Sequence, residues 1–294
     1  LRSSLVNNQD MLSKKIFFLV AIFIGLISQA SAQSALEDWP YEKPGVKERK
    51  VIPHRYTREA NMKFHKRIHR VVDTREKQNL PMHWPRNPFY NIIYEAAVKS
   101  PGSEGALTPY SSDSLTLGSF YTQEEVLERG SSEYVTQIQN PNNPEDPYDF
   151  IDTTIRIEFL PNQIKKYRIM EDWVFDYNYS DFRPIIKAIA PLFNLTVSGA
   201  ELGEIPLFWV RMEELRPILV NQEVFNPFND AARLSFDDWF EMRMFSSYIV
   251  KESNVWDSDI KKFEEYEDDG LAALLKSEAI KNDLFIFEHD VWEY

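Results

Sequence analysis

The chain has 294 residues, 43% hydrophobic and 14% aromatic, enough to bury a sizeable core in one large domain or two small ones. A formal net charge of −13 argues against general nucleic-acid binding. The sequence holds no cysteine, which excludes disulfides, thiol nucleophiles, cysteine-based zinc sites and iron–sulfur clusters, so an exported domain of this composition must rest on its core alone.

Residues 1–10 are polar, precede Met11 and read as an upstream translated leader. Lys14 and Lys15 form a basic start, residues 16–27 are apolar, and Ala30-Ser31-Ala32 is a small-residue cleavage site. Together they predict a secretory signal peptide over 11–32, cut between Ala32 and Gln33. The apolar run is short of the ~20 residues a membrane span needs, and no second run follows, so no span is expected after cleavage. No cysteine follows it to carry a lipid. Residues 33–56 hold Pro40, Pro44 and Pro53 without periodicity and read as an extended proline-rich arm, either flexible or docked on a partner.

The remainder, 57–294, reads as an α+β domain: helices packed with a small antiparallel sheet, with a boundary between lobes placed near 139–149. Ala60, Phe64, Ile68 and Val71 recur at helical spacing after Thr57, which predicts a basic helix whose exposed Arg67 and Arg70 are the candidate contacts to a neighbouring subunit or partner. Between Lys43 and Arg86 there are 13 Lys+Arg against 4 Asp+Glu, a local excess of +9. A second apolar segment from Pro88 predicts a helix to Val98, and Thr122 with Glu125 forms a capping box opening a helix to Arg129. Ile155, Ile157 and Phe159, then Tyr167, Ile169, Trp173 and Phe175, alternate as strands and predict a hairpin around 154–176. Asp181 is placed as the cap of a helix through Ala190, ended by Pro191.

Residues 205–249 are the most aromatic stretch, with two Trp and six Phe. Residues 206–210 read as an apolar strand. Met212, Leu215 and Leu219 predict a helix that Pro217 keeps short. The run 226–230, NPFND, is a turn signature. Ser235 with Asp238 predicts a capped helix bearing Phe236, Trp239, Phe240, Met244 and Tyr248 on one face. Trp209, Phe236, Trp239 and Phe240 are therefore the expected core. Two acidic helices are expected over 257–267 and 270–281, then an apolar segment at 284–287. From Asp237 to Tyr294 there are 16 Asp+Glu and 6 Lys+Arg, a local excess of −10.

Motifs for chemistry are sparse. His65 and His69 have the spacing of a helical metal pair, but Lys66 stands where a zinc hydrolase needs its glutamate, and Arg67 opposes a cation. The adjacent acids Asp237-Asp238 and Glu264-Glu265 would point about 100° apart on a helix. His289-Asp290 has no activated serine signalled nearby. No phosphate-binding glycine loop and no nucleophile elbow occurs, so neither an active site, a metal nor a cofactor is expected. Asp113-Ser114-Leu115 and Asp152-Thr153-Thr154 resemble bacterial O-glycosylation sites, but such triplets are short and frequent and carry a weak signal.

Three segments carry a resemblance: VIPHRYTREANMKFHKRIHRVVDTREKQN (51–79), the long FWVRMEELRPILVNQEVFNPFNDAARLSFDDWFEMRMFSSYIVKESN (208–254) and the ending FEHDVWEY (287–294). Together they resemble the gliding motility protein GldN family, called PorN in secretion nomenclature, over most of 51–294. That resemblance implies a non-catalytic periplasmic subunit of the Bacteroidetes type IX secretion and gliding machinery. It implies as partners an outer-membrane lipoprotein of the GldK/PorK type and other copies of the chain in a ring, with the GldL/GldM-like inner-membrane motor as a further partner. The location implied is the periplasm, held to the outer membrane through the lipoprotein. A second reading is a periplasmic glycan-binding module or glycan hydrolase using acid pairs and exposed aromatics. Burial of Trp209 and Trp239 discriminates between the two.

Overall fold

Strand β1, Met62–Asp73, runs through the middle of a sheet ordered β10-β1-β4-β5-β6. Its neighbours are β4, Lys166–Asp176, and β10, Tyr248–Glu252; β5, Asp181–Val197, and β6, Ala200–Pro206, complete the row. A two-residue strand β7, Val210–Arg211, also pairs with β5 at Ala188 and Ile189, and two further short strands, β8, Glu223–Val224, and β9, Leu234–Ser235, pair with each other apart from this sheet. Every pairing is antiparallel and the sheet is curled. The computed structural model describes residues 49–116, 118–129, 132–139, 150–157, 164–197, 200–229 and 231–292. The described residues fall within one compact unit.

The expectation of helices packed with a small sheet is overturned, because the sheet is the frame and the helices cover it. The stretch after Thr57 is β1 and not a helix. Phe64, Ile68 and Val72 are four apart, a spacing that a helix and a strand both satisfy, since four is even and close to one helical turn. His65, Arg67, His69 and Val71 fill the opposite face, and pairing with β4 on one side and β10 on the other decides for the strand. The expected helix from Asp181 is likewise β5. Ile185, Ile186 and Ile189 are β-branched and favour the pleated state. Pro184 lies where β5 pairs with β4 alone, and Pro191 where its outer partner changes from β7 to β6, both places that tolerate a missing amide.

The hairpin expected around 154–176 is also corrected: both strands exist but pair elsewhere. Strand β3, Phe150–Ile157, pairs with β2, Ser132–Gln139, while β4 lies between β1 and β5. Of the expected lobe boundary near 139–149, residues 140–149 lie outside the described residues, as do the leader, the signal peptide with Ala32 and Gln33, and the arm up to residue 48.

Five helices pack on this frame among the described residues: α1, Phe89–Val98; α2, Gln123–Arg129; α3, Met212–Leu219; α4, Phe236–Glu241; and α5, Gly270–Trp292. Thr122 and Glu125 exchange capping hydrogen bonds at the start of α2. Ser235 and Asp238 do the same for α4. Helix α4 is shorter than its sequence suggests, since Arg243 takes a positive φ of 53° just beyond it and Tyr248 belongs to β10. Helices α1, α3 and α4 cover one end of a sheet face, where Phe89 packs on Tyr167, Phe236 and Phe240 at ring distances of 5.1, 5.1 and 5.2 Å. Helix α5 covers the other end of the same face, with Ile280 and Leu284 over Ile68 and Phe287 stacked on Phe64 at 4.4 Å. The opposite face carries Met170, Ala188 and Ala190 under Tyr110 and Trp209, whose backbones pair with each other.

Candidate functional site

Between the two covered ends, one sheet face buries charge. Glu171 is fully enclosed on β4. Its carboxylate lies 3.1 Å from Nε of Arg70 on β1 and 3.0 Å from Nη2 of Arg243 in the loop after α4. The Trp173 indole donates to it at 3.2 Å. Two arginines and an indole thus converge on one carboxylate and answer its charge, while its Oε1 and the Arg70 Nε each lie within ion-pair distance of a partner without forming a hydrogen bond. Two bulges lie at this level, between His69 and Arg70 against β10 and between Met170 and Glu171 against β5. Bulges re-aim side chains, and here they flank the charged layer. A cleft of about 350 Å³ opens above it between the sheet and α5, lined by Arg70, Trp173, Arg243, Lys281 and Glu288 among others.

Arg70 was expected on an exposed helix. It is buried, at 7% exposure, and burial pulls its guanidinium below the ordinary value against the opposing pull of Glu171. Arg67 points to the other face, half exposed, and clamps Asp172 through Nε and Nη2 at 2.7 and 3.0 Å. Neither arginine is a free cation. Other parts of the basic block are also met within the chain: Arg49 pairs with Asp238 at 2.6 Å, His54 with Glu241 at 3.4 Å, and Lys66 with Glu252.

The histidine pair dissolves in the strand. Four residues of strand separate the two Cα atoms by ~13 Å, against one helical turn. His65 is half exposed beside Asp172. His69 is buried against Trp209 and accepts from Arg168 Nε at 3.3 Å on Nδ1. Burial, then Arg168, then Lys251 lower its pKa to about 4. Around it Arg168 pairs with Asp259, and the buried Lys251 pairs with Asp257 at 2.7 Å and with Asp113 at 3.4 Å. Among the described residues no three His, Cys, Asp or Glu side chains come together as metal ligands.

The acid pair at the start of α4 is engaged within the chain. Asp237 is buried and receives both Nε and Nη2 of Arg216, at 2.7 and 3.2 Å. Asp238 caps α4 and holds Arg49. Glu264 and Glu265 are exposed in a turn, and His289 and Asp290 are exposed on α5. Trp209, Phe236, Trp239 and Phe240 are all buried, so Trp209 and Trp239 offer no platform for a sugar. Residues 49–55 of the arm lie over α3 and α4, walling a groove of about 490 Å³ with His54, Arg183, Arg216 and Glu241.

The surface that sequence reading missed is the outer side of α5. The inner stripe, Ala273, Ser277, Ile280 and Leu284, is buried, and the Ile249 amide donates to the Ser277 hydroxyl at 2.9 Å. Yet Leu271, Leu274, Leu275, Phe285 and Ile286 lie on the far side, between 53% and 67% exposed. A surface helix ordinarily carries one apolar stripe. This one carries two, and the signal was present in 271–286 as apolar residues too numerous for a single face. Among the described residues no helix is long and apolar enough to cross a membrane.

The family model of the gliding motility associated protein GldN matches residues 57–293 of the chain. No curated protein matches it.

Proposed function

The chain belongs to the GldN family, a component of the gliding motility and type IX secretion machinery, and from that membership we propose that it is a non-catalytic periplasmic scaffold subunit. The family match carries this reading, since it runs from the start of β1 through α5 and so takes in the whole sheet with its covering helices. The geometry supports it in a second way. Glu171, Asp172 and Asp237 are each committed to arginines, and His69 is enclosed, so the buried charges brace the sheet and join the helices α3 and α4 that cover it. In this reading the partners are the outer-membrane lipoprotein of the GldK/PorK type and further copies of the chain in a ring, with the inner-membrane motor beyond them. The signal peptide over 11–32 delivers the chain to the periplasm, and the lipoprotein holds it to the outer membrane.

Sedimentation of the mature chain, alone and mixed with the lipoprotein, tests the proposal. A joint species far heavier than one chain of each is expected. Failure to associate, together with binding or cleavage of a periplasmic glycan, would replace the scaffold by the glycan-handling reading.

A further inference from the structure

The exposed stripe of α5 has an order that says what covers it. Leu271, Leu275, Glu278, Asn282, Phe285 and His289 follow at intervals of four, three, four, three and four, the seam of a two-helix coiled coil. From either end the inner four positions, Leu275, Glu278, Asn282 and Phe285, run apolar, polar, polar, apolar about a midpoint at Ile280, with Leu271 and His289 outside them. A pattern that matches its own reverse is self-complementary across a two-fold axis.

We propose that α5 is the interface of a homodimer in which the α5 helices of two copies pack antiparallel, Leu275 of each against Phe285 of the other. This rests on the scaffold reading and deepens it by naming the second copy as the partner of that face. The polar centre selects the orientation. A parallel pair would set Glu278 against Glu278, two like charges in a seam that excludes water. The antiparallel pair sets Glu278 against Asn282, whose amide donates to a carboxylate. Lys281, already 3.1 Å from Glu278 in its own helix, lies beside the axis and compensates both carboxylates. Ala272 and Ala279 flank one side of the seam and let the helices approach closely.

Size sets the strength. From Leu271 to His289 the stripe is ~27 Å long. Five half-exposed apolar side chains per copy bury on the order of 1,000 Å² in total, the low end for a specific interface. The isolated pair is therefore weak.

The chain has no cysteine, so introduced ones report on the interface alone. Mature chain carrying Leu275→Cys, mixed with mature chain carrying Phe285→Cys, should form a disulfide between the two variants on oxidation, while Leu275→Cys by itself should not. Wild-type mass in sedimentation equilibrium should rise towards two copies at concentrations of about 10–100 µM, in keeping with so small an interface. The Leu275→Glu/Phe285→Glu variant should stay monomeric with an unchanged circular dichroism spectrum and thermal midpoint. A monomeric wild type, self-linking of Leu275→Cys as efficient as the mixture, or a dimer that survives the double glutamate variant would overturn the proposal. If the wild type is monomeric and the glutamate variant instead loses the lipoprotein, the stripe belongs to that partner and the scaffold reading stands. A mature chain that meets neither itself nor the lipoprotein removes both.

Discussion

The two ends of one sheet face are closed by different means. Under α1, α3 and α4 the closure is aromatic and complete: Phe89, Tyr167, Phe236, Trp239 and Phe240 touch one another, and each is at most 1% exposed. Under α5 the closure is thinner, made by Ala273, Ile280, Leu284 and Phe287, while five further apolar side chains of the same helix face outward. The first end spends its apolar area inside the fold and the second divides it between fold and surface. Such a division makes sense where one end fixes a shape and the other meets a neighbour. Between them Glu171 and its two arginines tie β1, β4 and the loop after α4 into one layer.

The largest expected effect lies in that layer. Arg70→Glu would enclose two carboxylates side by side with Arg243 alone to answer them, and should cost at least about 5 kcal/mol, enough to unfold a typical domain. Arg67→Glu, half exposed itself but facing the buried Asp172, should cost less, about 2 kcal/mol. Urea titrations of the two variants check this, and equal losses would mean that Arg70 is solvated. Trp239→Ala removes the indole between Phe240 and Phe245 and should cost roughly 3–5 kcal/mol. A barely shifted thermal midpoint would deny the aromatic end its role.

Those contrasts also show what the sequence made legible. The short helices α1 to α4 were readable because each carries a local signal: Pro88 before Phe89, the Thr122–Glu125 box, Pro217, and the Ser235–Asp238 box. The sheet was not, because a strand's partners are long-range and its period is ambiguous in stretches such as 60–72, where apolar residues fall four apart. Arg70 misled for the same reason. On a helix, its charge would mark a solvated face, whereas on a central strand it has to be buried against something, and Glu171 lies 101 positions away in sequence. The outer stripe of α5 was legible in composition but not in consequence, since only the fold reveals which side the sheet takes.

Acidification should separate the sheet's two faces. His69 is held neutral with a pKa of about 4, against an ordinary 6.5. The unfolded chain therefore takes up a proton below pH 6.5 that the native chain refuses, and stability, complete above that value, falls as the pH drops towards about 4, by at most about 3 kcal/mol. Burial lowers His54 and His83 in the same direction, so His69→Gln should flatten the slope without abolishing it. Thermal midpoints measured from pH 7 to pH 4 give the answer, and a variant slope equal to that of wild type would place the titration elsewhere.

The smallest expected effect distinguishes the two ends by their caps. Ser235 is fully buried at the start of α4, where its hydroxyl accepts from the Asp238 amide at 3.1 Å while the Asp238 carboxylate receives the Ser235 amide and Arg49. Asp269 caps α5 in the open, its Oδ1 accepting from the amides of Leu271 and Ala272 at 2.9 and 3.1 Å. Either change to alanine should cost about 1 kcal/mol. The cost should appear differently, because α4 is locked into the aromatic cluster and α5 rests on one stripe of side chains, Ala273, Ile280, Leu284 and Phe287. Ser235→Ala should lower the global unfolding midpoint, and amides throughout the sheet should exchange faster together. Asp269→Ala should leave that midpoint nearly unchanged and speed exchange only in the first turns of α5, where Leu271, Leu274 and Leu275 lie. Loosening those turns should also weaken self-association through the outer stripe. If hydrogen exchange finds the Asp269→Ala loss spread across the whole sheet, α5 is as integral to the core as α4, and the division between a shape-fixing end and a neighbour-meeting end does not hold.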